Sequence, residues 1–396
     1  MERQKNGPGF RNAVALCAVG AEKAVSNELK RLTLTVVESG FGRVRFAADL
    51  RGLYRALMGL RAADRVLLEV GLFRAGDFDA LFDGVRNVPW ERLVPANLGT
   101  KVVKVRSNRS RLRAETSVQA VVHKAIAQRL CRVYSLERLP ETGTSAEVRV
   151  YIEKDGVSLL LDLSGEPLFK RGYREKGGQA PLRETTAAAL LLLSGWKRKF
   201  PLYDPFCGSG TVLAEAAMFA WDMAPGLGRD FAINNLVIAS RKTADRVRDE
   251  FRSKIDTERL IRIAGSDEDP GAAKLAASNL GCAGNLAGTK IPARALPEVR
   301  TLSMHDARPP FAPGEETRPA GFILTNPPYG KRLGNRAEAQ RVYAEMAALG
   351  KYFPRWKLAV VCDHPGFESF FGRKADSCRE ISNGPDPLYF FQYGRL

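Results

Sequence analysis

The residues with the most chemical content are Thr325-Asn326-Pro327-Pro328-Tyr329-Gly330, directly after the apolar run Gly321-Phe322-Ile323-Leu324. The run reads as a buried strand, so the six residues form the corner at its carboxyl end. Proline has no N–H and a fixed φ, so two in succession hold the backbone still and leave carbonyl oxygens free to accept. Asn326 adds an amide oxygen, and Tyr329 a ring that can stack on something flat. Acceptors beside a stacking face suit a planar group with an exocyclic –NH2, such as a nucleobase. A plain strand-to-loop turn has the same composition, because Asn-Pro favours turns. What decides between the two lies about 120 residues upstream, in Asp204-Pro205-Phe206-Cys207-Gly208-Ser209-Gly210.

This second stretch sits between a strand, Pro201–Asp204, and a helix, Thr211–Phe219. It lacks the third glycine of the dinucleotide fingerprint and the Gly-Lys-Ser/Thr of a P-loop. A glycine turn permits close backbone approach, and the helix N-terminus behind it favours a carboxylate. Asp204 suits an ammonium, so the pair suits an amino-acid head group. Cys207 has no base nearby and reads as a small loop filler. Asp267, with Glu268 beside it, follows the strand Leu260–Gly265, where a carboxylate can accept from two ribose hydroxyls. Asp306 follows the strand Val299–Met304 and can take an adenine amino group, with the Ala307 N–H behind it. The ligand these residues imply is S-adenosylmethionine.

The elements that must position them alternate between strand and helix from residue 182 onward, which predicts an α/β, doubly wound, mostly parallel sheet. Two closing strands, Arg379–Ile381 and Leu388–Tyr393, flank Asn383-Gly384-Pro385 and predict an antiparallel edge hairpin. In such sheets ligands bind beyond the strand carboxyl ends. Asp204–Gly210, Asp267, Asp306 and Asn326–Tyr329 all fall there.

Residues 1–75 read β-α-β-β-α-β, the ferredoxin-like plan. Residues 76–168 form a second α+β unit. Its strand Lys101–Arg106 alternates basic and apolar residues, a basic loop spans 107–113, a helix runs Thr116–Tyr134, and a hairpin closes it over Lys154-Asp155-Gly156. A basic stretch, Phe169-Lys170-Arg171-Gly172-Tyr173-Arg174, opens a linker over 169–181 that contains Gly177-Gly178 and ends at Pro181. The first turn of the next helix, with Arg183, Glu184, Thr185 and Thr186, reads either as capping or as a ligand-facing surface.

The 396 residues carry a net charge of +17 and a pI near 9.8. A protein this basic meets nucleic acid more often than not. The charge is clustered: between Lys101 and Arg132 there are nine Lys/Arg and one acid, Glu115. The longest apolar run, Ala187–Leu193, is too short to span a bilayer, and the polar N-terminus has no signal-peptide pattern. A cytosolic location is therefore expected. Six scattered cysteines and three histidines give no metal-ligand spacing, so no metal is expected.

The 76–168 unit, through Ser107-Asn108-Arg109-Ser110-Arg111-Leu112-Arg113 and the closing hairpin, resembles a THUMP domain. The resemblance implies recognition of folded RNA by shape, with phosphate contacts from Lys101, Lys104, Arg106, Arg109, Arg111, Arg113 and Lys124. Residues 182–396 look like a class I S-adenosylmethionine-dependent methyltransferase. In that resemblance Asp204, Pro205, Phe206, Cys207, Gly208 and Gly210 form the cofactor loop. Asp267, Glu268, Asp306, Ala307 and Asn326 complete the cofactor site, and Asn326, Pro327, Pro328 and Tyr329 match the catalytic motif of exocyclic-amine methylation. Lys331 and Arg332 would contact phosphate.

With Ala180-Pro181-Leu182-Arg183-Glu184-Thr185 and Ala224-Pro225-Gly226-Leu227, nearly the full chain resembles bacterial THUMP-containing 23S rRNA guanine-N2 methyltransferases. The implied protein is a monomer with RNA as its partner. Some relatives carry a second methyltransferase after the first; no such activity is expected here. A tRNA guanine-N2 methyltransferase and an adenine-N6 DNA methyltransferase are the alternatives, since the four-residue motif does not choose the base. A non-catalytic RNA chaperone would have no need of Asn326 or the glycines.

Overall fold

The computed structural model describes residues 11–141, 143–174, 182–311, 320–328, 336–382 and 387–396. Two seven-stranded sheets account for the strands. The first begins with β1 (Arg11–Cys17), α1 (Glu22–Arg31), β2 (Thr35–Gly40), β3 (Arg43–Ala48), α2 (Leu50–Gly59) and β4 (Ala63–Arg74), the predicted ferredoxin-like order. Asp49 caps α2, its Oδ1 accepting from Gly52 N at 2.7 Å. The chain continues through α3 (Phe78–Arg86), β5 (Gly99–Asn108), α4 (Glu115–Tyr134), β6 (Ser145–Glu153) and β7 (Gly156–Asp162). Along α4, Val118, Val122, Ala125, Ile126 and Leu130 are buried, the predicted inward face, while Val121 is only half-buried.

β4 pairs antiparallel with β7, so the two N-terminal stretches share one sheet in the order β2-β3-β1-β4-β7-β6-β5. Basic β5 is its edge, paired in parallel with β6.

The second sheet is built from α5 (Glu184–Leu193), β8 (Leu202–Asp204), α6 (Thr211–Ala220), α7 (Arg241–Arg252), β9 (Ile263–Asp267), α8 (Pro270–Gly284), β10 (Glu298–Thr301), β11 (Phe322–Thr325), α9 (Arg336–Glu345), α10 (Leu349–Tyr352), β12 (Lys357–Cys362), α11 (Phe367–Phe371), β13 (Ser377–Ser382) and β14 (Pro387–Tyr393). Its order is β10-β9-β8-β11-β12-β14-β13. β8 to β12 are parallel, and β13 and β14 form the expected antiparallel hairpin at one edge. From β8 the chain works outward through β9 to β10, then returns to the other side of β8 with β11. The order therefore reverses between β8 and β11, which is where open α/β sheets form a ligand crevice.

One continuous core runs from Ala13 of β1 through α5, α6 and α8 to Phe390, so the N-terminal unit and one face of the second sheet share a single apolar interior. The opposite face is packed by an aromatic cluster including Tyr343, Phe353, Trp356, Phe367 and Phe391. Contact at the seam is close. Gly226 N donates to Met58 O at 2.9 Å, and a Cβ on Gly226 would lie 2.7 Å from Met58 Cα. Val19 and Ser382 exchange backbone hydrogen bonds of 2.8 and 3.0 Å across it.

Charges are buried there too. Arg171 Nε donates to Glu215 Oε1 of α6 at 3.3 Å, Arg171 Nη2 donates to the Arg61 carbonyl, and Tyr173 OH donates to Glu215 Oε1 at 3.3 Å. Glu215 is wholly excluded from solvent and Arg171 nearly so. Removing one partner of such a pair strands a charge and costs ~3–5 kcal/mol, whereas apolar replacement of both is often tolerated. Arg171→Met is therefore expected to lower the unfolding midpoint markedly. Combining it with Glu215→Leu should recover most of the loss. Urea and thermal melts followed by circular dichroism measure both.

Candidate active site

At the reversal point β8 and β11 pair through Leu202–Phe322 and Tyr203–Ile323, which brings their carboxyl ends side by side. Thr325 Oγ1 donates to Asp204 Oδ1 at 2.6 Å, pinning the proline corner to the glycine turn. Asp204 Oδ1 also accepts from Phe206 N at 3.1 Å. Burial pushes the Asp204 carboxyl up to about 7, with nearby Asp267 adding to the rise and the two hydrogen bonds opposing it.

The turn has its own scaffold. Cys207 N donates to Ser266 O at 2.9 Å, and Gly210 N to Cys207 O at 2.8 Å. Gly208 and Gly210 have φ of +53° and +76°, where a side chain is disfavoured. A Cβ on Gly210 would meet Ala276 of α8 at 3.0 Å, so this glycine lets α8 approach. A Cβ on Gly208 would meet nothing within 4 Å; its open side is where a ligand can reach the backbone. Cys207 is buried, and burial holds its thiol well above its usual range, as befits a filler rather than a nucleophile.

Asp267 ends β9, its Oδ2 accepting from Gly208 N at 2.8 Å and its Oδ1 from Asp269 N at 3.1 Å. A carboxylate has about four acceptor positions, so both oxygens retain capacity. Glu268 beside it is exposed. β10 stops at Thr301, earlier than the predicted Met304. Leu302 N still reaches Asp267 O at 3.0 Å, after which Asp306 N folds back to Ser303 O at 3.0 Å and turns the chain off the sheet edge. Asp306 is exposed on this turn, while Ala307 is buried and its N–H already donates to Ser303 O and Met304 O at 3.1 and 3.3 Å.

Asp267, Asp204 and Asn326 thus follow in that spatial order at the ends of β9, β8 and β11, with Asp306 on the turn five residues past β10. Three strand spacings span about 14 Å, the reach of an elongated ligand.

Asn326, Asp204, Phe206, Gly208, Thr211 and Leu182 line one cleft at the centre of this row. Asn326 is 8% exposed, and its Oδ1 is buried with no hydrogen-bond partner. A buried unpaired acceptor is costly and uncommon in the apo state of a purely structural turn. Pro327 is buried and Pro328 half-buried beside it. Tyr329, Lys331 and Arg332 lie outside the described residues.

Several residues here were not anticipated. Thr325 read as part of the corner but with no role of its own. Asn279 of α8 holds Ser209 O at 2.9 Å, and Arg174 reaches Thr211 Oγ1 at 2.6 Å and Glu184 at 3.4 Å. Thr185 donates to Asp64 Oδ1, so part of the first turn of α5 faces the N-terminal unit.

Residues 171–389 match the family UPF0020, described as the RMKL-like methyltransferase domain, and residues 12–67 match the RlmL ferredoxin-like domain. The chain belongs to the UPF0020 methyltransferase family. One relative is the putative RNA methyltransferase YpsC of Bacillus subtilis, 33% identical over 383 residues, covering 96% of this chain and 95% of the relative. Another is the ribosomal RNA large subunit methyltransferase K/L of Syntrophotalea carbinolica, 32% identical over 379 residues, covering 92% of this chain. The chain spans about half the length of that second relative, 51%.

Among solved structures, SMU.472, a putative methyltransferase complexed with SAH, superposes with a TM-score of 0.85 at 32% identity, covering 98% of both chains. The cofactor of this UPF0020 chain is S-adenosylmethionine. The open Gly208 backbone and the Asp204 carboxyl fit such a group. Among the described residues no cluster of metal ligands occurs, and no helix is long and apolar enough to cross a membrane.

The Asp204 carboxyl has a testable consequence. Its folded value lies above the ordinary 3.8, so the apo protein holds a proton there below about pH 7. That contribution to stability is complete below about pH 4 and is lost as pH rises through 7. An ammonium group needs the ionised form, so cofactor affinity should fall about tenfold per pH unit below 7. Calorimetric titrations between pH 8 and 5.5 should show this slope, and Asp204→Asn should bind weakly and without it.

Proposed function

We propose that this chain methylates the exocyclic N2 amine of a guanine in 23S ribosomal RNA. The observation that carries the reading is the unpaired Asn326 Oδ1 beside Asp204 in one cleft, the two strand ends tied by the Thr325 hydroxyl. RNA as the substrate is supported by the names of the relatives, an RNA methyltransferase and a ribosomal RNA methyltransferase. Guanine N2 is supported by the sequence resemblance alone.

The basic unit supports it as well. Its loop is held by Ser110 Oγ and Arg111 N donating to Asp155 at 2.7 and 2.9 Å, with Leu112 tucked inside. Arg109, Arg111 and Arg113 are left exposed, as are Lys101, Lys104 and Lys124 nearby. Arg106 is exposed but spends part of its charge on Glu115 at 3.2 Å. In this reading the unit is a THUMP-type domain that anchors RNA through phosphates, and the protein works as a monomer.

S-adenosylmethionine supplies an electrophilic methyl group. Turning an amine into a nucleophile falls to the chain. The lone pair of guanine N2 is delocalised into the ring. Asn326 Oδ1 and the Pro327 carbonyl accept its two N–H bonds, which turns the lone pair out of conjugation and stabilises the positive charge that develops on nitrogen. Tyr329 stacks on the base once it is drawn out of the RNA. No strong base is needed, because the product ammonium is very acidic. Much of the acceleration is positioning, up to ~7–11 kcal/mol in favourable cases.

Asn326→Ala should keep cofactor affinity within about tenfold while cutting turnover at least ~100-fold; near-normal turnover removes the assigned role. Nucleoside mass spectrometry of RNA and DNA from a deletion strain tests the substrate. Loss of N2-methylguanosine from large-subunit rRNA is expected. Loss confined to tRNA, or loss of N6-methyladenine from DNA, points to the corresponding alternative.

A further inference from the structure

On the far side of the second sheet from the cofactor turn, where its strands begin, a cleft of about 440 Å³ opens along the seam with the N-terminal unit. Small-molecule sites fall in the range of roughly 300–1,000 Å³. Five cations line it, Arg31, Arg61, Lys197, Arg198 and Lys254, against two acids, Glu28 and Asp222. Both acids are already engaged. Glu28 accepts from the backbone N–H of Arg61 and Ala62, each at 2.9 Å, and Asp222 is held by Arg198 and Arg259. Lys254 rests on Glu250 at 3.1 Å. Among the described residues, Arg31 and Lys197 have no ion-pair partner.

Arg61 decides the reading. It is 8% exposed, and its Nη2 donates to Met223 O at 2.5 Å. Its Nη1 is buried with no partner. A guanidinium only donates, so its vacant position can be filled only by an acceptor. The excess of cations around the cleft favours an anionic one, and the guanidinium fork matches phosphate. Trp196 and Phe219, their rings 6.0 Å apart, give the cleft an apolar wall. A neighbouring cleft shares Arg31 and adds Lys23 and Arg379, extending the basic lining along α1.

We propose that this cleft is a second ligand site, which takes a phosphate-bearing anion on Arg61 Nη1 with Arg31 and Lys197 at its rim. It is distinct from the methyl-transfer site: Phe219 lies eight residues along α6 from Thr211, about 12 Å of helix. The proposal stands whether or not the methylation reading does. Free polyphosphate and the backbone of an RNA strand present the same group.

The test is thermal unfolding of the full-length protein during titration with sodium pyrophosphate, against sodium chloride at matched ionic strength. A saturable rise in Tm with pyrophosphate alone is expected. Arg31 and Lys197 are exposed, so the double variant Arg31→Ala/Lys197→Ala should fold and weaken the apparent affinity by about tenfold or more. Arg241→Ala, a remote exposed cation on α7, should leave it unchanged. A shift no larger than that from sodium chloride, or one equal in the double variant, overturns the site. Displacement of pyrophosphate by a short RNA oligonucleotide assigns the phosphate to RNA, and failure to displace assigns it to a free anion. S-adenosylhomocysteine binding by the double variant, measured in parallel, reads the cofactor site separately.

Discussion

The arrangement of the whole molecule depends on a charge that water cannot reach. Glu215 sits midway along α6 with no solvent exposure, and Arg171, also buried, is brought to it by the strap that leaves the first sheet. Neither side chain would be tolerated alone in that interior. Arg171 also donates to the carbonyls of Leu168 and Arg61, so one guanidinium binds the strap, the turn after α2 and α6 together. An apolar seam could slide, because the hydrophobic effect has no direction. A buried ion pair whose guanidinium also holds two carbonyls, those of Leu168 and Arg61, has a directional geometry that an apolar seam lacks.

At the crevice a smaller bond does similar work. Parallel pairing of β8 and β11 ends at Tyr203 and Ile323, and beyond it the chains would diverge into separate loops. The Thr325 hydroxyl on Asp204 extends the link past the last ladder position. It holds the Asn326 amide over the glycine turn. It also helps set the ionisation of Asp204, since the bond favours the carboxylate while burial opposes it more strongly. Geometry and charge at the site are coupled through one hydroxyl.

What the chain revealed without coordinates was local. The strand-helix alternation, the ferredoxin-like order, and the motifs at 204–210 and 325–330 each occupy a few consecutive residues of distinctive chemistry. What stayed hidden was long-range pairing. Arg171 and Tyr173 read as part of an exposed basic linker because their partner, Glu215, is over forty positions away inside an apparently apolar helix. Arg61 carried no signal in the sequence for the same reason: its contacts are the Met218 and Met223 carbonyls. The early stop of β10 had no composition signal, because Leu302 to Met304 continues the apolar pattern while the backbone already turns at Ser303. The union of the two N-terminal units in one sheet depends on β4 meeting β7, a pairing across about ninety residues that no periodicity records.

α6 ties these features into one argument about function. Its first residue, Thr211, lines the cleft that holds Asp204 and Asn326 and takes a hydrogen bond from Arg174. Its middle carries Glu215, fixed to the strap. Its last turn presents Phe219, with the guanidinium groups of Arg61 and Arg198 over the ring, to the basic seam. A ten-residue helix is a stiff rod of about 15 Å, and its two buried polar side chains, Thr211 and Glu215, are both held by one stretch, Arg171 to Arg174. The glycine turn therefore cannot shift along the helix axis without disturbing Arg171 and, through it, the turn after α2. A methyltransferase depends on holding the acceptor atom and the methyl group in fixed register. In this chain that register is held by buried charge on α6 rather than by the breadth of the apolar interface.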